Sequence, residues 1–213
     1  RHSGDSLHST RHGGDEGHEG LQSAVQANVV QQASEAAIRV TSSLPELILI
    51  KGAPGVGKSS TARQLSLQLT SGVLVEVDDL RSMVVAVNWT NQNEHRKLLV
   101  LSAQLAAGFL RSGFTPVILV DTFSGNKIDG FMDVFRSEYP KHRVFVAVLH
   151  ASDEVLRHWV MNREVEGFRD LTISMQINQE AASGLRPCET LIDTSALPPI
   201  EVGMAIVALA ASR

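Results

Sequence analysis

Gly52-Ala53-Pro54-Gly55-Val56-Gly57-Lys58-Ser59 has the spacing G-x-x-x-x-G-K-S, and the apolar run Leu47-Ile48-Leu49-Ile50 leads straight into it. Glycines so spaced let successive backbone N–H groups turn inward and form a concave anion nest. The helix-compatible segment from Ser59 to Leu69 adds the positive end of its dipole. The chemistry this suits is the grip on a nucleoside triphosphate. Gly52, Ala53, Pro54, Gly55, Val56, Gly57, Lys58, Ser59 and Ser60 would wrap the phosphates, with Lys58 reaching the β- and γ-phosphates. The Ser59 hydroxyl would take one coordination position of Mg²⁺.

A second stretch, Asp78-Asp79-Leu80-Arg81, follows the apolar run Val73 to Val77. Phosphoryl transfer to a hydroxyl needs a group that orients the acceptor and takes its proton, and a carboxylate beside the phosphate loop suits that task. Arg81, one helical turn from Asp78, could hold an anionic or polar acceptor bidentately. One of the two aspartates could equally cap the next helix. Val117 to Asp121 is an apolar strand ending in an aspartate, the Walker B form, and its carboxylate would bind Mg²⁺ or approach the acceptor. If Asp78 is not the base, Asp121 takes its place.

These residues need elements to hold them. From Pro45 onward the chain alternates apolar runs with helical patterns. Strands are expected at 47–51, 73–77, 117–120, 143–149 and around 191–193. Helices are expected after each phosphate-loop or strand end, including 94–111 (stopped by Gly113) and 126–138. Ser152 is an N-cap with Asp153 and Glu154 in the first turn behind it. A polar bend at Gly167 leads to a further helix, and a last one follows Pro199. Continuous apolar strands alternating with helices predict a parallel sheet covered on both faces. Its ligand site lies at the carboxyl ends of the strands.

Residues 1–20 are polar and nearly repeat (Arg1-His2-x-Gly4-Asp5 and Arg11-His12-x-Gly14-Asp15), with too little apolar surface to offset ordering. A disordered tail is expected there, and an appended amphipathic helix over 21–44, ahead of a main domain over 45–213. The 213 residues carry 19 Lys+Arg against 23 Asp+Glu, a net charge of -4. That disfavours a broad nucleic-acid surface, although one basic groove could override it. The single cysteine, Cys188, excludes an intrachain disulfide and reads as a small buried or half-buried side chain. No apolar run reaches membrane-span length, so a cytoplasmic setting without a membrane partner is expected.

Val77-Asp78-Asp79-Leu80-Arg81, about twenty residues after Gly57-Lys58-Ser59, resembles the small P-loop kinases, nearest the polynucleotide 5'-kinase, zeta-toxin and chloramphenicol-phosphotransferase group. The resemblance covers about residues 46–210. It implies a three-layer P-loop NTPase fold with a five-stranded parallel sheet, helices on both faces and a short lid. It implies ATP and Mg²⁺ as cofactors and transfer of the γ-phosphate to a hydroxyl of a small-molecule or nucleotide acceptor, or a polynucleotide 5'-end. By residue, it implies Asp78 as the acceptor-activating base, Arg81 as the contact to the acceptor and Lys58 as a catalytic cation. The helix with Arg157 and Arg163 falls where these kinases carry a lid, with Arg163 the first choice for closing over the phosphates, then Arg157 and Arg169. Ile192-Asp193-Thr194-Ser195 resembles the family's last strand and the loop that passes near the adenine.

Asn126-Lys127-Ile128-Asp129 points elsewhere, matching N-K-x-D, the guanine-reading element of GTPases. It follows a loop instead of a strand, and no D-x-x-G element accompanies Asp121. It nonetheless supports a rival reading, a nucleotide-dependent switch with little transfer activity. A zeta-toxin-like sugar kinase would share the chemistry and change the biology. Removing residues 1–20 is expected to leave the thermal midpoint and ATP affinity unchanged, measured by scanning calorimetry and titration calorimetry on the shortened and full chains.

Overall fold

The computed structural model describes residues 43–163 and 168–213. The expected tail over 1–20, the expected helix over 21–44 as far as residue 42, and the bend at Gly167 lie outside them.

Five strands form one parallel sheet: β1 (Leu47–Gly52), β2 (Val73–Glu76), β3 (Val117–Val120), β4 (Val144–His150) and β5 (Glu189–Asp193), in the spatial order β2-β3-β1-β4-β5. Seven described helices join or follow them: α1 (Lys58–Ser66), α2 (Val77–Ser82), α3 (Gln92–Arg111), α4 (Lys127–Glu138), α5 (Asp153–Met161), α6 (Leu171–Ser183) and α7 (Pro199–Ala211). Every residue of β1 is buried, because β1 is central and each face meets a helical layer. Ile48 and Ile50 pack with Leu65, Leu156, Val160 and Ile206 on the α1, α5 and α7 side. Leu47 and Leu49 pack with Val77, Leu99, Phe131 and Phe135 on the α2, α3 and α4 side. Burial on both faces explains why these strands read as unbroken apolar runs instead of alternating ones.

Register carries the functional consequence. Ile50 lies beside Val120 on one flank and Ala147 on the other, while Glu76 lies beside Val120. The ends of β1, β2 and β3 therefore stand side by side, and the phosphate loop, Asp78 and Asp121 leave the same edge. Strand order could not be read from the alternation of elements; it is what makes the loop and Asp121 neighbours.

Two sequence expectations need correction. The second strand stops at Glu76, and Val77 already opens α2, so Asp78 and Asp79 occupy that helix's first turn. Carboxylates there face the positive end of the helix dipole, which favours the early start. Cys188 is exposed, not buried, since it lies in the turn that precedes β5. Elsewhere the expected caps hold: Ser152 accepts a hydrogen bond from Val155 N, and the stretch after Pro199 is helical and packs through Gly203 onto α1. Among the described residues, no helix is long and apolar enough to cross a membrane.

One polar contact ties the sheet's flank together. The ammonium of Lys51 on β1 donates to Glu189 Oε1 on β5 at 2.7 Å, and the side chains are 10% and 0% exposed. Removing one member of a buried pair strands the other charge. Glu189→Ala is expected to destabilise the protein by about 3 to 5 kcal/mol in urea unfolding, with much of the loss recovered when Lys51→Met and Glu189→Leu are combined.

Candidate active site

The loop after β1 departs from ordinary strand-to-helix geometry at its glycines. Gly55 and Gly57 adopt φ of 93° and 94°, in the left-handed region that glycine alone enters without strain. A Cβ on Gly55 would meet Val160 Cγ2 of α5 at 2.5 Å, so the loop packs hard against that helix. A Cβ on Gly57 would meet nothing within 4 Å, and that side of the loop is open. The first bond within α1 runs from Thr61 N to Gly57 O at 2.9 Å. The amides of Lys58, Ser59 and Ser60 come before that bond, so they have no partner within the helix and lie at the positive end of its dipole. This donor set fits a polyphosphate.

Lys58 is the hub. Its Nζ donates to Ala53 O at 2.9 Å, closing the loop on itself. Burial pulls the Lys58 ammonium down from 10.5 to about 8, and Arg163 adds to the fall. Asp121 and Asp78 oppose it, Asp121 more strongly, so both carboxylates stand within electrostatic reach of the ammonium. The structure thus brings Asp78, Asp121 and Arg163, the last of them more than a hundred positions away in the chain, within electrostatic reach of Lys58.

The two carboxylates are treated differently. Asp121 is 6% exposed, and both its oxygens are held. His95 Nε2 lies 3.0 Å from Oδ1, and Phe123 N donates to Oδ2 at 2.8 Å. That amide reaches back because Phe123 sits at φ 48°, a conformation unusual for a bulky residue. The cost is offset by burial of its ring edge-on against Phe131, with centroids 5.4 Å apart. Asp78 is solvent-accessible at the mouth of the site. Even so, the protein around its carboxyl raises its pKa above the ordinary 3.8, and the neighbouring Asp121 raises it further, against the pull of Lys58, Arg81 and His95. A carboxyl raised in this way takes a proton more readily than an ordinary aspartate does.

The arginines differ in freedom. Arg81 is 7% exposed and its Nη2 donates to Trp89 O at 2.8 Å, while the guanidinium stacks on the Trp89 ring at 4.5 Å. Its Nε is buried without a partner. Arg163 donates to Phe168 O at 3.2 Å, and Arg169 donates to the Arg163 carbonyl. Arg157 is exposed on α5. On the other flank, Thr194 Oγ1 donates to His150 O at 2.9 Å and lies 3.5 Å from Val56 O, bringing the loop after β5 against the phosphate loop. The Asp193 carboxyl, held below the usual range by hydrogen bonds from Ser195, closes that same turn.

Asn126 to Asp129 forms the entry to α4 and does not follow a strand. Asp129 is forked by Arg186, and Lys127 turns toward His95, so the geometry of a guanine reader is missing. Sequence reasoning passed over His95 and met Lys127 only inside the N-K-x-D match. A histidine in the first turns of a polar helix carries no motif, and its partner Asp121 is 26 residues away.

Residues 47–185 match the AAA domain family. No curated protein sequence matches the chain. Among solved structures, the chain resembles the tunicamycin resistance protein of Deinococcus radiodurans (TM-score 0.60, 21% identity, 76% of this chain and 94% of that one). It resembles a sugar kinase from Janibacter sp. HTCC2649 (TM-score 0.56, 20% identity, 78% and 96%). It also resembles the APS kinase CysC of Mycobacterium tuberculosis in complex with AMPPNP and APS (TM-score 0.54, 13% identity, 78% and 97%). At these identities the likeness is one of fold.

The half-buried ammonium makes a testable demand. Between about pH 8 and 10.5 the unfolded chain holds a proton on Lys58 that the folded chain has released, so stability rises with pH across that window. Lys58→Met is therefore expected to be more thermally stable than the wild type at pH 7. The gap in thermal midpoint should shrink as pH climbs through the window; a constant gap would contradict the burial penalty.

Proposed function

The chain belongs to the AAA domain family, and from that premise we propose that it is a Mg²⁺-dependent kinase carrying the γ-phosphate of ATP to a hydroxyl acceptor. The observation that carries this is the unequal pair of carboxylates around Lys58: Asp121 buried and held at both oxygens, Asp78 accessible with a raised pKa. A switch needs no such division, whereas transfer to an alcohol needs one group that takes a proton and another that remains an anchor.

The loop from Gly52 to Ser60 holds the phosphates through its amides. Lys58 exchanges the Ala53 carbonyl for phosphate oxygens, where its charge matches the charge that develops in transfer. Ser59 and Asp121 would hold Mg²⁺, which supplies charge neutralisation and orientation of the phosphates. Asp78 accepts the proton of the acceptor hydroxyl as the new P–O bond forms and the bond from the γ-phosphorus to the β–γ bridging oxygen breaks, with ADP as the leaving group. Arg163, already near Lys58, serves as the lid cation, with Arg157 and Arg169 as its neighbours. Arg81 is the contact for the acceptor, supported by a buried Nε with no other partner.

Proteins sharing this fold include a sugar kinase and an APS kinase, which makes small hydroxyl compounds the first acceptors to test. The net charge of -4 agrees with that choice over long nucleic acid. Asp78→Asn is expected to bind ATP as the wild type does and to lose about 10²- to 10⁴-fold in acceptor-dependent turnover, whereas Lys58→Ala abolishes turnover. Both are read by coupled ADP release against sugars, nucleosides and 5'-hydroxyl oligonucleotides. Normal turnover by Asp78→Asn would transfer the base to Asp121.

A further inference from the structure

Lys127, the lysine of the Asn-Lys-x-Asp match, has no part in the reading so far, nor has His95, yet the fold joins them to Asp121. His95 is 5% exposed on α3 and lies between two charged groups. Its Nε2 is 3.0 Å from Asp121 Oδ1, and its Nδ1 is 3.3 Å from Lys127 Nζ. Lys127 Nζ also donates to Ser124 Oγ at 3.0 Å. An ammonium has only donors to offer, so Nδ1 is the acceptor in that contact. The hydrogen-bond network thereby assigns the imidazole hydrogen to Nε2, where it points at the carboxylate. With Phe123 N on the other oxygen, Asp121 is clamped by one donor per oxygen.

We propose that His95, with Lys127 fixing its tautomer, is a positioning residue that holds the Asp121 carboxylate in one orientation for Mg²⁺ at the phosphate loop. This rests on the kinase reading given above. Three separate elements converge on the arrangement: α3 supplies His95, the end of β3 supplies Asp121, and the start of α4 supplies Lys127. A histidine needed only to fill the core would have no use for a lysine behind it, since drawing that lysine partly out of water lowers its pKa and is unfavourable in itself. A carboxylate held before the cation arrives has no orientation left to lose on binding, and partners of this kind commonly change metal affinity by about 10- to 100-fold.

The test is calorimetric binding of a non-hydrolysable ATP analogue, with Mg²⁺ and with EDTA, to the full chain. The wild type should bind more tightly with Mg²⁺. His95→Phe keeps a ring in the cavity but removes the donor. It should lose about 10- to 100-fold of the Mg²⁺-dependent tightening while keeping its affinity in EDTA. His95→Gln, whose amide N–H can stand near the position of Nε2, should recover most of it, and Lys127→Met should lie between. Nitrogen-15 NMR of the wild type should show hydrogen on Nε2 of His95, a readout that survives if His95→Phe does not fold. Unchanged Mg²⁺ dependence in His95→Phe, or hydrogen on Nδ1, overturns the positioning role and leaves the kinase reading standing. A wild type indifferent to Mg²⁺ overturns both.

Discussion

An ammonium drawn partly out of water is unfavourable, and at the carboxyl edge Asp121, then Asp78 and Glu76, favour the charge of Lys58. Burial brings its pKa to about 8, and without Asp121 and Asp78 it would fall further. The rest of the site follows from that balance. The carboxylates must come close enough to hold the lysine, and there the loss of water around Asp78, with Asp121 adding to it, raises the Asp78 pKa. A single constraint thus brings together the cation and the carboxyl on which the proposed transfer rests.

Sheet order sets the balance. With β1 between β3 and β4, the strand that feeds the phosphate loop is the direct neighbour of the strand that ends in Asp121. β2, on the far side of β3, delivers Asp78 through the first turn of α2. The glycines then work by close approach: Gly55 brings the loop onto Val160, which no residue with a Cβ would allow without a shift. Fold stability and site geometry share these contacts, since Val160 and Leu156 also belong to the core layer beneath the loop.

Much of this was legible in the residues. The glycine-rich turn after β1, the strand runs, the cap at Ser152 and the helix start at Pro199 are local signals, written in spacing and side-chain type. The start of α2 was misread because Val77 is apolar and buried, so it extends a strand pattern even though its backbone is helical. Strand order and the environment of Asp121 were not legible at all. They depend on contacts between residues far apart in sequence, such as His95 with Asp121 and Thr194 with Val56. Lys127 was visible only inside a motif that pointed to guanine. In the fold Asn126 takes the N-cap position of α4 without a side-chain cap bond, and Lys127 lies against His95 and Ser124.

The most direct measurement follows the γ-phosphate itself. ATP labelled at that position is incubated with Mg²⁺ and a mixed panel of small hydroxyl compounds, and phosphorus NMR identifies where the label goes. A new phosphate-ester resonance that depends on one acceptor is the predicted result, and it names the substrate class. Label found only as inorganic phosphate, at a rate indifferent to every acceptor, would contradict transfer and favour a nucleotide-dependent switch.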